Sequence, residues 1–152
     1  MSHESAYQPP STDSTLHLLS TSGDDDVAWV HVARLRPGPF VVEFVDGTAD
    51  MLDREKKWII NVSTQFGCPV RCTFCDAGGS YRGNLTSAEI LRQVSWVLDS
   101  RPGLAERCAK LKVHFSRMGE PSLNWAVLDA LNALPRLLPV PDFWACVATV
   151  AP

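Results

Sequence analysis

Gly67-Cys68-Pro69-Val70-Arg71-Cys72-Thr73-Phe74-Cys75 sets three cysteines in a C-x3-C-x2-C spacing, soon after the apolar run Trp58-Ile59-Ile60-Asn61-Val62-Ser63. Three thiolates can hold three irons of a cubane cluster and leave the fourth iron open. Ordinary electron-transfer clusters, and closed all-thiolate zinc sites, take four cysteines. A tight loop with three ligands and no obvious fourth therefore points to a reactive metal centre. Two blander readings stand beside it. One is a zinc knot completed by Cys108, Cys146 or a histidine; the other is a dithiol of Cys72 and Cys75, which leaves Cys68 without a role.

Working outward, the run 58–63 is rich in β-branched residues and reads as the strand that delivers the loop. Beyond the loop and its glycines, Gly78, Gly79 and Gly83, a helix is announced by Thr86-Ser87-Ala88-Glu89, a capping box. Ile90, Leu91, Val94, Val97 and Leu98 then make one apolar stripe. Pro102-Gly103 ends that unit. A short strand is expected over 111–116, then Met118-Gly119-Glu120-Pro121. A second helix is expected over about 124–134, with Val127, Leu128, Leu131 and Leu134 on one face. Pro135, Pro139 and Pro141 punctuate its exit, and 143–150 reads as another strand. Strand, helix, strand, helix, strand is the order of a parallel sheet with right-handed crossovers. The last strand would lie at an open edge, and parallel sheets are normally continued. That predicts that residues 57–152 are the front part of a larger domain.

The N-terminal side differs in composition. Residues 1–26 carry Glu4, Asp13, Asp24, Asp25 and Asp26 with no Lys or Arg, and are rich in Ser and Thr. They are expected to be a disordered acidic tail. Residues 27–56 read as a small β-rich segment, with strands over 27–35 and 40–45 joined by Arg36-Pro37-Gly38-Pro39 and closed by Asp46-Gly47. With 152 residues, 45% hydrophobic and 20% charged, the composition is that of a globular domain. No run reaches the ~18 apolar residues of a membrane span, and no leader pattern opens the chain, so a cytoplasmic protein without membrane contact is expected. The net charge of −3 leaves +2 for residues 27–152 once the tail's −5 is removed, which permits a nucleic-acid partner without arguing for one. Cys108 and Cys146 read as buried structural cysteines, His114 as a satisfied strand residue or a support to a neighbouring site, and Arg71 and Arg117 as surface charges rather than phosphate contacts. The five tryptophans, Trp29, Trp58, Trp96, Trp125 and Trp144, read as packing residues.

The loop 67–75 resembles the cluster loop of radical S-adenosylmethionine (SAM) enzymes, C-x3-C-x-aromatic-C, with Phe74 in the aromatic place. Gly119-Glu120-Pro121 resembles that family's glycine-glutamate element. Three stretches are similar to the RlmN/Cfr-type RNA adenine methyltransferases over roughly residues 41–152. They are Ser63-Thr64-Gln65-Phe66-Gly67-Cys68; Asn84-Leu85-Thr86 with Glu89-Ile90; and Met118-Gly119-Glu120-Pro121 with Leu123-Asn124. The resemblance implies an α/β fold: a partial TIM-like radical SAM barrel preceded by the β-rich segment. It implies a [4Fe-4S] cluster on Cys68, Cys72 and Cys75, and SAM held with the help of Phe74, Gly119, Glu120 and Thr149. Glu43 would be a general base. Reductive cleavage of SAM to a 5′-deoxyadenosyl radical, rRNA or tRNA adenine as substrate, and an electron donor such as flavodoxin or ferredoxin follow as expectations.

The chain departs from that pattern in places. Asn61 stands seven positions before the first cluster cysteine, where the methyltransferases carry a thiol. Their second reactive cysteine would fall beyond Pro152, and Cys108 and Cys146 match neither position. Tyr81-Arg82-Gly83-Asn84-Leu85 is one residue shorter than the family's loop. A radical SAM protein of the same lineage that works without the paired-cysteine relay is the alternative, and a non-catalytic zinc or iron-sulfur module a third. With part of the barrel beyond it, the chain as it stands is expected to be inactive.

Overall fold

A computed structural model describes residues 16–49, 52–140 and 143–152. Its strands are β1 (His17–Gly23), β2 (Ala28–Arg36), β3 (Phe40–Thr48), β4 (Trp58–Val62), β5 (Leu111–Phe115) and β6 (Phe143–Val147). The helices are α1 (Ser87–Ser100), α2 (Leu104–Arg107) and α3 (Ala126–Leu137), with a 3-10 turn at Pro121–Leu123. The strands form one six-stranded sheet in chain order. β1 to β4 pair antiparallel, while β4, β5 and β6 run parallel through their helical crossovers. The sheet is open rather than closed into a barrel. The β-rich lead-in and the α/β part share it, because β3 pairs with β4 from Val45↔Asn61 to Thr48↔Trp58.

The alternation of β4 and β5 explains the layering. Trp58, Ile60, Val62, Leu111, Val113 and Phe115 are buried. Residues between them, Ile59, Asn61, Lys112 and His114, are half-buried and lie on the other face. α1 lays Ile90, Val94 and Val97 onto the apolar face, and α3 adds Val127, Ala130 and Leu134. The capping box at Thr86 forms as its sequence predicts: Thr86 Oγ1 accepts from Glu89 N at 3.2 Å and Glu89 Oε2 from Thr86 N at 2.8 Å. Arg36 grips the same Glu89 at 2.5 and 2.7 Å, pinning the helix start to the end of β2.

Several sequence expectations need correction. Residues 17–23, read as disordered tail, form β1, while residues 1–15 lie outside the described residues. The Asp-rich stretch is a turn signal: Asp24 Oδ1 accepts from the backbone N–H groups of Asp26 and Val27, at 3.1 and 3.0 Å, which folds β1 back onto β2. Asp46-Gly47 continues β3 instead of ending it. Pro135 lies inside α3, which runs on to bury Leu138, with Leu138 N donating to Leu134 O at 3.0 Å. Pro141 lies outside the described residues. A one-turn helix, α2, fills the stretch after Pro102-Gly103. Trp58 and Trp96 are core residues, but Trp125 and Trp144 are 84% and 55% exposed and pack no core. Cys108 and Cys146 are half-buried rather than buried. His114 Nε2 is buried without a hydrogen-bonding partner among the described residues.

One buried group carries a pH prediction. His31 on β2 is fully buried between Phe44 and Trp96, ring centroids 5.1 and 4.6 Å away, with Nδ1 3.1 Å from Thr21 Oγ1. Burial lowers its pKa from the usual 6.5 to about 4; Arg101 adds to the effect and Asp46 opposes it. The folded state thus binds fewer protons than the unfolded chain between pH 6.5 and 4. Stability is fully present above that window and falls as the pH falls through it, by about 3 kcal/mol at its end. Urea midpoints at pH 7 and pH 4.5 should show the drop, and His31→Gln should flatten it. An unchanged slope in that variant would assign the effect elsewhere.

Candidate cluster and cofactor site

The cysteine loop springs from the carboxyl end of β4 and is closed at its base by backbone pairing. Phe66 N donates to Gly83 O at 3.0 Å, Arg82 N to Phe66 O at 2.8 Å, and Gln65 bridges Asn84. Gly67 makes the closure possible. Its φ of +74° suits glycine, and a Cβ there would stand 2.4 Å from Ser80 O. Within the loop, Gly79 N donates to Cys68 O at 3.3 Å, and Cys75 N to Cys72 O at 3.1 Å, a turn that brings the x2 pair round. Cys68 and Cys72 are half-buried and Cys75 is exposed; none is crosslinked. Phe74 is 89% exposed.

Among the described residues, no group of three or more His, Cys, Asp or Glu stands close enough to hold a single metal ion. The three thiols are therefore not gathered at one point, as a mononuclear tetrahedral site needs. The donor set nevertheless suits an iron-sulfur cluster by its chemistry. It offers three free thiols within eight residues, on a solvent-accessible loop clamped at both ends.

Glu120 follows β5 at the next strand's carboxyl end, where open parallel sheets bind ligands. The residue is 3% exposed. Its Oε1 accepts from Ser122 N at 3.0 Å, from Ser122 Oγ at 2.8 Å and from the Thr149 hydroxyl; its Oε2 accepts from Val150 N at 3.1 Å. Burial works to raise its pKa. The bonds from Thr149, Val150 and Ser122 outweigh that and hold the carboxyl below the usual range, so it is ionised at neutral pH. The structure thus brings Glu120 and Thr149 into direct contact across the ends of β5 and β6. Gly119 takes φ +102°, and a Cβ on it would meet Gln65 Cβ at 2.6 Å and Gln65 N at 2.8 Å.

Glu43 on β3 is held by Arg117, whose Nε and Nη2 donate to its Oε2 at 3.0 and 2.6 Å. Its carboxylate is committed to a guanidinium, with both side chains about 40% exposed. Asn61 lies on the helix-free face, its Oδ1 accepting from Ser116 Oγ at 3.2 Å. His114 and Cys146 continue that row on the neighbouring strands. Gln65, Asn84 and Asn124 stand in the family-like stretches quoted above without a role assigned to them, Arg117 reads from sequence as a surface charge, and Ser122 carries no sequence signal. They sit singly in loops, where no periodicity marks them.

No family model matches the chain. It is similar to the "Probable dual-specificity RNA methyltransferase RlmN" of Trichormus variabilis, 37% identical over 123 residues, 80% of this chain and 31% of that protein. The protein of that name from Nostoc punctiforme is 35% identical over 143 residues, 90% of this chain and 37% of the relative. The "Dual-specificity RNA methyltransferase RlmN" of Halorhodospira halophila is 38% identical over 90 residues, 57% of this chain and 24% of the relative. The chain spans between a quarter and somewhat over a third of the length of these curated relatives. Over the part these matches cover, the chain is a relative of the RlmN dual-specificity RNA methyltransferases and shares their radical SAM lineage.

Proposed function

We propose that residues 57–152 are the cluster- and cofactor-holding part of a radical SAM enzyme, with 27–56 as a β-rich lead-in, and that the substrate is an adenine of rRNA or tRNA. The single observation that carries this is the pairing of the cysteine loop with an ionised Glu120 and Thr149 at the ends of adjacent parallel strands, in a chain related to RlmN proteins. Cys68, Cys72 and Cys75 would hold a [4Fe-4S] cluster. The chemistry such a cluster supplies when bound is one-electron cleavage of the SAM sulfonium to a 5′-deoxyadenosyl radical.

The chain's own residues hold and orient. Glu120, ionised and desolvated, offers a carboxylate to the ammonium of SAM. Gly119 lets the backbone come close, Thr149 fixes the carboxylate from the β6 side, and Phe74 is free on the loop to cover the cofactor. Glu43 could take a proton only after Arg117 lets it go. An electron donor of the flavodoxin or ferredoxin type, an RNA partner and a cytoplasmic setting complete the proposal; no helix among the described residues is long and apolar enough to cross a membrane.

Asn61 favours a second reading. An amide held by Ser116 cannot act as a thiol, so the lineage's chemistry would run here without a cysteine relay at that position. The test is anaerobic reconstitution of the chain with iron and sulfide. About four irons and four sulfides per chain are expected, with a change in the reduced cluster's electron paramagnetic resonance on adding SAM. Bound zinc with no sulfide would overturn the radical reading in favour of a binding module.

A further inference from the structure

Between the cysteine loop and Glu120 stands one side chain that touches both neighbourhoods. Gln65 is completely buried. Its Oε1 accepts from Glu120 N at 2.8 Å, and its Nε2 donates to Asn84 Oδ1 at 2.7 Å. Asn84 closes the base of the cysteine loop. Its Oδ1 also accepts from the Tyr81 hydroxyl at 3.0 Å, and its Nδ2 donates to Leu123 O at 3.1 Å. The orientation of both amides follows from their partners. A backbone N–H can only donate, so Gln65 must turn its oxygen to Glu120. That leaves its NH2 for Asn84 Oδ1, and leaves Asn84's own NH2 for a carbonyl. The chain of bonds therefore has one direction: reversing Gln65 would set its NH2 against the buried Glu120 N–H, and reversing Asn84, itself exposed, would set its NH2 against that of Gln65.

The same side chain acts by shape. Gln65 Cβ and Cγ fill the space in front of Gly119, within 2.6 and 2.8 Å of where a Cβ would stand. Gln65 N and Thr64 N both donate to Met118 O, at 3.3 and 2.8 Å. Gln65 thus constrains the backbone on both sides of the Gly119–Glu120 peptide.

We propose that Gln65 is the positioning residue for Glu120, and that through Asn84 it locks the base of the cysteine loop and the carboxylate into one register. The function of this lock rests on the reading of Glu120 as the acceptor of the SAM ammonium. Gln65 itself touches no cofactor; it sets the peptide from which the carboxylate projects. Loop and carboxylate then respond together when either is ordered.

Four variants test it, one of them Glu120→Gln as the check on the carboxylate itself. Gln65→Met keeps the bulk and loses both polar atoms. Gln65→Glu keeps the acceptor for Glu120 N–H and loses the donor to Asn84. Gln93→Met is the control, since Gln93 is equally buried and bonds Ser63 N and O at 2.9 and 3.0 Å without touching Glu120. Amide hydrogen exchange in the cofactor-free chain should quicken at Glu120 by about tenfold in Gln65→Met, the size of one lost bond, with β2 and β3 amides unchanged. Gln65→Glu and Gln93→Met should stay near the parent there. In reconstituted protein, Gln65→Met should keep its iron and weaken SAM binding about tenfold, with Gln65→Glu recovering only part of it, because the Glu120 bond is kept while the Asn84 bond is lost. Parental exchange and SAM affinity in Gln65→Met, or the same losses in Gln93→Met, would overturn the proposal. Faster exchange at Glu120, with SAM binding untouched in both Gln65→Met and Glu120→Gln, would instead remove the reading of Glu120, and the lock's cofactor role with it.

Discussion

Asp46→Ala is expected to lower the unfolding free energy by about 3–5 kcal/mol, a large part of the 5–15 kcal/mol typical of a domain. Asp46 is fully buried, with Oδ1 accepting from Trp58 Nε1 at 2.6 Å and Arg54 Nε at 3.0 Å, and Oδ2 from Arg101 Nε at 2.5 Å. Arg54 and Arg101 are themselves 6% and 3% exposed. Alanine would leave two guanidinium groups and an indole N–H in the interior without their shared acceptor. Asp25 reaches Arg101 Nη2 at 2.5 Å, but its side chain is half exposed and cannot replace a buried carboxylate. Asp46→Asn keeps an acceptor and should lose less. The contrast is Arg107 with Glu55, 3.3 Å apart and each about half exposed, where Arg107→Ala should cost under ~1 kcal/mol. Urea unfolding of the three variants checks this; an Asp46→Ala loss as small as that of Arg107→Ala would show that the network is ornamental to stability.

Cys72→Ala is expected to abolish cluster incorporation, taking iron and sulfide from about four each per chain to below one. The loop offers three thiols, and among the described residues no group of three or more His, Cys, Asp or Glu is gathered elsewhere to replace one of them. The other two cysteines are held elsewhere. Cys108 packs against the core with Sγ 3.1 Å from Lys110 O, and Cys146 lies in β6 beside His114. Cys108→Ala and Cys146→Ala should therefore reconstitute like the parent. Cys68→Ala and Cys75→Ala should behave as Cys72→Ala does, although Cys75 is exposed and Cys68 is not. Retained iron in Cys75→Ala would mean that the C-x3-C-x2-C reading has the wrong ligand set.

Legibility followed periodicity and local chemistry. The parallel β4–β5–β6 order could be read because alternating runs and an amphipathic stripe each carry their own period, and the start of α1 because Thr86 and Glu89 satisfy each other three residues apart. β1 was missed because its sequence, His17-Leu18-Leu19-Ser20-Thr21-Ser22-Gly23, holds too little apolar residue to announce a strand. What places it is backbone pairing to β2, after a turn that Asp24 builds. Asp46-Gly47 misled for a related reason: the pair is a common turn signal, but here Asp46 is drawn inside by two arginines, one 55 residues away in sequence. Pro135 reads as a stop, yet the apolar face of α3 continues through Leu137 and Leu138.

By itself the sequence determined the three-thiol loop, the strand that delivers it, and the helix that follows, since each depends on neighbours a few residues apart. Only the tertiary structure decided what surrounds Glu120. Thr149 and Ser122 close on its carboxylate, Gln65 takes its N–H, and Arg117 occupies Glu43, through partners 2 to 74 residues away. Bonds of that range have no period to read. They exist because packing the strands in chain order brings the carboxyl ends of β4, β5 and β6 side by side, where buried polar groups must find one another.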